Sequence, residues 1–72
     1  MNERLDKLRE KANSLPLSSG IYIMRDSRGE VIYVGKSRKL KNRVSSYFSE
    51  TPKGIKTAKM VSRVADFDYI LC

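Results

Sequence analysis

Two β-favouring runs, Ile21-Tyr22-Ile23-Met24-Arg25 and Val31-Ile32-Tyr33-Val34, flank the turn sequence Asp26-Ser27-Arg28-Gly29. That hairpin constrains the chain more than any other feature. Asp at the start and Gly at the end suit a tight reversal. If Asp26 faces Gly29, then Arg25 faces Glu30, Ile23 faces Ile32, and Tyr22 faces Tyr33. One face then carries Ile21, Ile23, Ile32 and Val34, and the other Tyr22, Met24, Val31 and Tyr33. A slip of one residue would mix the two sets and send the tyrosines to opposite faces. The sorted register predicts Tyr22 and Tyr33 as cross-strand neighbours.

A two-stranded sheet is rarely stable alone, so the hairpin needs partners. Phe67-Asp68-Tyr69-Ile70-Leu71 alternates and reads as a third strand. A first helix is expected from an Asn2 cap to about Asn13, with Leu5, Leu8, Ala12 and Leu15 as its apolar stripe. Pro16 and Ser18-Ser19-Gly20 end it. A second helix is expected over about residues 38–48, capped by Ser37, with Leu40, Val44, Tyr47 and Phe48 inward and Arg43 on the stripe's edge. Pro52 and Gly54 mark a loop, and a third helix follows over about 55–64 with Ala58, Met60, Val61 and Val64 inward. The order predicts one small α+β domain over residues 1–72, a three-stranded antiparallel sheet flanked by helices.

Charge placement narrows the partners. Of 15 basic residues, nine fall between Lys36 and Arg63, where Glu50 is the only acid. A concentrated cationic segment is what phosphate binding needs, although such runs also serve simply as solvated surface. No apolar run approaches the roughly 20 residues of a membrane span, and the charged N-terminus lacks an apolar signal core. The sole cysteine, Cys72, has no partner for an internal disulfide. These features lead us to expect a cytoplasmic protein with no membrane contact. The chain has no histidine, so any catalysis must use other groups.

Four features converge on such groups: Tyr22, Tyr33, Lys36, and the pair Arg43 and Tyr47. Lys36 leaves the second strand just after Gly35, which lets backbone or ligand approach closely. An arginine on the core-facing edge of a helix usually needs an anion or carboxylate. Each tyrosine taken singly reads equally as a packing residue with a satisfied hydroxyl.

Gly20-Ile21-Tyr22, followed by Tyr33-Val34-Gly35, resembles the motif of the GIY-YIG nucleases, with valine in place of the second isoleucine. The downstream run from Lys36 to Phe48, with its Gly-Lys, Asn-Arg and Tyr elements, is similar as well. So is the stretch from Lys56 to Ile70. The resemblance is greatest to the N-terminal nuclease domain of the bacterial UvrC-like excinucleases, the incision enzymes of excision repair. It implies a divalent metal, Mg²⁺ or Mn²⁺, and DNA as substrate, with other excision-repair proteins as partners. It implies Tyr22 and Tyr33 as paired motif tyrosines, Tyr33 being the favoured general base because Lys36 is expected beside it. Arg43 would hold the scissile phosphate, Tyr47 would contact that phosphate or position Arg43, and Gly20 and Gly35 would be structural. Lys36, Arg38, Lys39, Lys41, Lys56 and Lys59 would bind the nucleic acid.

The family's metal-binding glutamate lies on a helix after the third strand. None of Glu30, Glu50, Asp66 or Asp68 matches it, so no metal ligand is assigned and the domain reads as lacking its C-terminal helix. Three functions are therefore weighed. The first is a metal-dependent DNA endonuclease domain of the excision-repair type. The second is a non-catalytic nucleic-acid-binding module. The third is a protein-interaction fragment that dimerises through an exposed sheet edge.

Overall fold

The computed structural model describes residues 3–49 and 52–72. Six elements follow in order: α1 (Glu3–Asn13), β1 (Gly20–Arg25), β2 (Val31–Ser37), α2 (Leu40–Tyr47), α3 (Ile55–Arg63) and β3 (Asp66–Leu71). The sheet is antiparallel with β1 in the centre and order β2-β1-β3. This is the expected α+β arrangement. The Asn2 cap and Glu50 lie outside the described residues.

The hairpin forms, but in a different register from the one expected. Asp26 bonds both Gly29 and Glu30: its carbonyl accepts from the Gly29 N–H at 3.0 Å, closing the expected turn, while its N–H donates to the Glu30 carbonyl at 2.9 Å and shifts the strand pairing by one. The loop is longer because the Asp26 carboxylate accepts from the N–H groups of both Arg28 and Glu30. Gly29 closes it with φ of 82°, a left-handed conformation that suits glycine. A second slip follows at a bulge, since Arg25 pairs with Val31 and Met24 with Tyr33, leaving Ile32 as the extra residue. Two slips of one restore the alternation. Tyr22 therefore faces Gly35, not Tyr33, yet both tyrosines stay on one face. The bulge also exchanges two side chains: Ile32 packs against the core, while Val31 is half exposed.

The core lies on the tyrosine face of the sheet. Tyr22, Met24 and Phe67 are buried there with Leu8, Ala12 and Leu15 from α1 and its exit, and with Leu40, Val44, Tyr47 and Phe48 from α2. The Phe48 and Phe67 rings stack with centroids 5.7 Å apart. Truncating a buried phenylalanine of this kind to alanine costs about 3–5 kcal/mol. The apolar stripes expected for α1 and α2 are thus the buried ones. In α3, Val61 and the adjoining Val64 are buried and Met60 packs against them, but Ala58 is exposed.

Capping departs from the sequence expectation. Ser37 does not cap α2, which starts at Leu40 with Lys39 as its cap. The Ser37 hydroxyl instead accepts from the Lys39 N–H at 3.0 Å. The free N–H groups of Leu40 and Lys41 donate to the carbonyls of Ser18 and Pro16, so backbone replaces the side-chain cap. At the opposite helix ends, basic residues of α1 satisfy the open carbonyls. Arg4 donates to the carbonyls of Val61 and Val64, and Arg9 to that of Phe48. Lys11 bonds the Asp66 carboxylate and the Phe67 carbonyl, each at 2.7 Å.

Candidate active site

Three tyrosines meet where β1, β2 and α2 come together. Ring centroids of Tyr22 and Tyr33 are 6.1 Å apart, those of Tyr22 and Tyr47 5.7 Å, and those of Tyr33 and Tyr47 6.4 Å. Strand alternation brings the first two to one face, and the helical stripe of α2 brings the third. Tyr22 and Tyr47 are 1% and 7% exposed, but Tyr33 is 40% exposed and open to solvent. The hydroxyls of Tyr22 and Tyr47 lie 2.8 Å apart, each satisfying the other in the core.

Gly35 makes this arrangement sterically feasible. A Cβ at that position would run into the ring and hydroxyl of Tyr22, which lies across β2. Gly20 has a different neighbourhood. A Cβ there would stand 2.5 Å from the Ile70 carbonyl oxygen and 2.7 Å from a Leu40 methyl, so the glycine lets β3 and α2 close on β1.

Arg43 lies beside the cluster, its guanidinium carbon 5.2 Å from the centre of the Tyr47 ring. Arg43, expected on the core-facing edge of α2, is exposed, because the stripe turns Val44 and Tyr47 inward and leaves Arg43 on the rim. The Tyr22 hydroxyl, and then the neighbouring Tyr47, push its pKa up, reinforcing the charge that a guanidinium already carries. Tyr47 is pushed far above the ordinary phenol range, first by burial and then by its hydrogen bond to Tyr22. Tyr47 therefore stays protonated and is a poor proton acceptor. Tyr33 is the phenol of the three with solvent access.

Lys36 is not part of this cluster. It pairs with Ile21, one residue beyond Gly35, and the strand period of two turns it to the opposite face from the tyrosines. There it is exposed and makes no hydrogen bond or ion pair with any described residue. With Arg38, Ser19, Ser37 and Cys72 it lines a separate cavity of about 420 Å³. Lys39 lies beside them in the turn before α2, and Lys41 is half-buried on that helix. Lys56 and Lys59 are exposed on α3. The basic residues named from the sequence thus divide between the stretch from the end of β2 to the start of α2, and α3.

A hollow of about 270 Å³ adjoins the tyrosines, lined by Arg43, Ser46 and Tyr47 on one side and by Lys53, Gly54 and Thr57 on the other. Sequence reasoning missed Lys53 and Thr57 here. The available signal was the Pro52-Lys53-Gly54 loop, which could place a cation at the entrance of α3.

Magnesium prefers oxygen ligands, usually including a carboxylate. Among the described residues no three His, Cys, Asp or Glu side chains stand close enough to hold a metal ion. The cluster presents phenols and a guanidinium, and this donor set does not fit a divalent cation. Asp66 and Asp68 are engaged by Lys11 and Arg25 at 2.7 and 2.9 Å. No helix among the described residues is long and apolar enough to cross a membrane.

Comparison with known proteins accords with this fold. A model of the UvrC-like GIY-YIG domain matches residues 18–72. UvrABC system protein C of Solibacter usitatus is 53% identical over 66 residues, covering 90% of this chain and 11% of that protein. The corresponding protein of Desulfitobacterium hafniense is 49% identical over 67 residues, covering 93% and 11%. The chain thus spans about a ninth of the length of these relatives. The crystal structure of the GIY-YIG N-terminal endonuclease domain of Thermotoga maritima UvrC, bound to its catalytic magnesium, superimposes with a TM-score of 0.80 at 30% identity. That match covers 100% of this chain and 74% of the other.

Proposed function

The chain belongs to the family of UvrC-like GIY-YIG domains, and we propose accordingly that its tyrosine–arginine cluster handles a DNA phosphodiester in an excision-repair endonuclease. The 72 residues would form one such domain. The observation that carries this reading is the convergence of Tyr22, Tyr33 and Tyr47 with Arg43 on their rim. Arg43 supplies fixed positive charge where a phosphate gains negative charge in the transition state. Tyr47, held neutral, donates or positions rather than accepts. Tyr33, exposed and on the same face, is the general base of this proposal. Lys36 would act on substrate from the other face of β2, with Arg38 and Lys39 beyond the strand's end and Lys41 on α2.

The solved Thermotoga domain binds magnesium as its catalytic cation. Such an ion would activate water and neutralise phosphate charge. The described residues of this chain supply no ligand set for it, so the roles assigned above rest on the chain's own side chains. By analogy with the UvrABC relatives, the partners would be DNA and other excision-repair proteins; the single free cysteine suits a cytoplasmic compartment. The test is nicking of supercoiled plasmid by this chain with Mg²⁺ or Mn²⁺. Metal-dependent nicking that disappears in Tyr33→Phe is expected if the site is sufficient. Nicking undiminished by that change would sink the role given to Tyr33.

A second reading, binding without cutting, is favoured by the pairing of Asp66 and Asp68 with Lys11 and Arg25. Those acids do not offset the cations between Lys36 and Arg63. DNA binding that weakens steeply with salt, with no nicking, is its expected signature. Association of two copies through the outer strands belongs to the third reading. Val34 on β2 and Ile70 and Leu71 on β3 are 55%, 56% and 52% exposed, which supports it. A monomer at high concentration in sedimentation would remove it.

A further inference from the structure

We propose that α3 is a track for the phosphate backbone, carrying nucleic acid from the tyrosine cluster to the tip of the β1–β2 hairpin. The inference rests on the nucleic-acid reading above and adds Arg63 and Arg28 as its far contacts. Lys56, Lys59 and Arg63 follow one another at intervals of three and four residues, all exposed. At 3.6 residues per turn they fall within about 60° of each other around the helix axis. From Lys56 to Arg63 the stripe rises about 10 Å, or roughly three phosphates at the 3.4 Å axial spacing of one strand. No acid occurs within α3. None of the three side chains makes a hydrogen bond or ion pair with a described residue, unlike Arg4, Arg9 and Lys11, which are occupied in holding the fold.

Both ends of the stripe open into basic hollows. One is the hollow shared by Arg43, Tyr47, Lys53 and Thr57. The other, about 510 Å³, is lined by Arg28, Arg63 and Arg4 together with Ser62, Asp26 and Glu30. The Asp26 carboxylate is held by the turn N–H groups of Arg28 and Glu30, and Arg4 by the carbonyls at the end of α3, each keeping its charge, so the three cations here outnumber the two acids by one. Arg28 and Arg63 remain as the outward cations, with Glu30 as the acid beside them. A strand bound at Arg43 thus finds positive charge in one direction along α3.

The test measures binding of the 72-residue chain to a blunt, fluorescently labelled DNA duplex across a salt series. The double variant Arg28→Gln/Arg63→Gln, at two exposed positions, is compared with Lys7→Gln on α1. Loss of two phosphate contacts should reduce the slope of log affinity against log salt by about 1.8, while Lys7→Gln leaves it unchanged. Equal slopes for the double variant and Lys7→Gln would overturn the track. If Arg43→Gln still reduces the slope in that case, the nucleic-acid reading survives and only the track fails. Salt-independent binding by the unaltered chain would overturn both.

Discussion

The Tyr22 hydroxyl stands 2.8 Å from that of Tyr47, and the two close a hydrogen bond inside the core with Arg43 at its solvent side. Removing one hydroxyl strands the other. Tyr47→Phe should therefore destabilise the chain by about 1–3 kcal/mol through an unpaired buried hydroxyl. Tyr22→Phe in the same background should add little, because the partner is already gone. Urea unfolding of both single variants and the double variant measures the coupling, and simple additivity would contradict the pairing.

Gly35 offers a sharper steric test. A methyl group there collides with the Tyr22 ring and hydroxyl, which have no room to withdraw because Tyr22 is almost fully buried. Gly35→Ala should cost about 1–3 kcal/mol by overpacking and move Tyr22 off Tyr47. Gly29→Ala would be strained for a different reason, its φ of 82°, with open space around it. It should cost about 1 kcal/mol and leave the tyrosine cluster intact. Near-ultraviolet circular dichroism separates the two: the tyrosine signal should change for Gly35→Ala only.

Tyr47 also sets a pH limit. Its folded-state pKa is raised, mainly by burial and then by Tyr22. The folded chain therefore holds a proton that the unfolded chain releases at about pH 10, the ordinary phenol value. The contribution is fully present below that pH and is lost as pH rises above it. Alkaline unfolding should begin at about pH 10 and be less steep in Tyr47→Phe. Absorbance of the phenolate should show one tyrosine fewer ionising in that variant's unfolding step.

How far the sequence revealed these relations depended on the range of the interaction. The strands, the apolar stripes of α1 and α2, and the meeting of Tyr22, Tyr33 and Tyr47 follow from local periodicity, and all are present. The register did not follow, because it depends on Asp26 accepting two N–H groups and on a bulge at Ile32. Strand pattern alone gives no sign of either. Lys36 was misplaced for a related reason: Gly35 occupies the tyrosine face, so the next residue must point away. Arg4, Arg9 and Lys11 read from the sequence only as charge. Their partners are carbonyls at distant element ends, which exist only after the chain has packed.

Those three basic residues lead to a test of α1. The family match begins at residue 18, beyond α1, and every candidate site residue lies after that point. A chain beginning at Ser18 would keep Tyr22, Tyr33, Arg43 and Tyr47. It would nonetheless lose Leu8, Ala12 and Leu15 from the core and the caps on α2 and α3. Removing a buried leucine side chain costs about 2–5 kcal/mol, and two are lost together with the caps. A 72-residue domain has only about 4–11 kcal/mol of stability in total. The shortened chain should therefore show no cooperative thermal transition. The single change Arg9→Met, which frees the Phe48 carbonyl, should cost about 1.5–3 kcal/mol and leave the transition cooperative. A shortened chain that melts cooperatively near the parent temperature would show that α1 does not hold the site together.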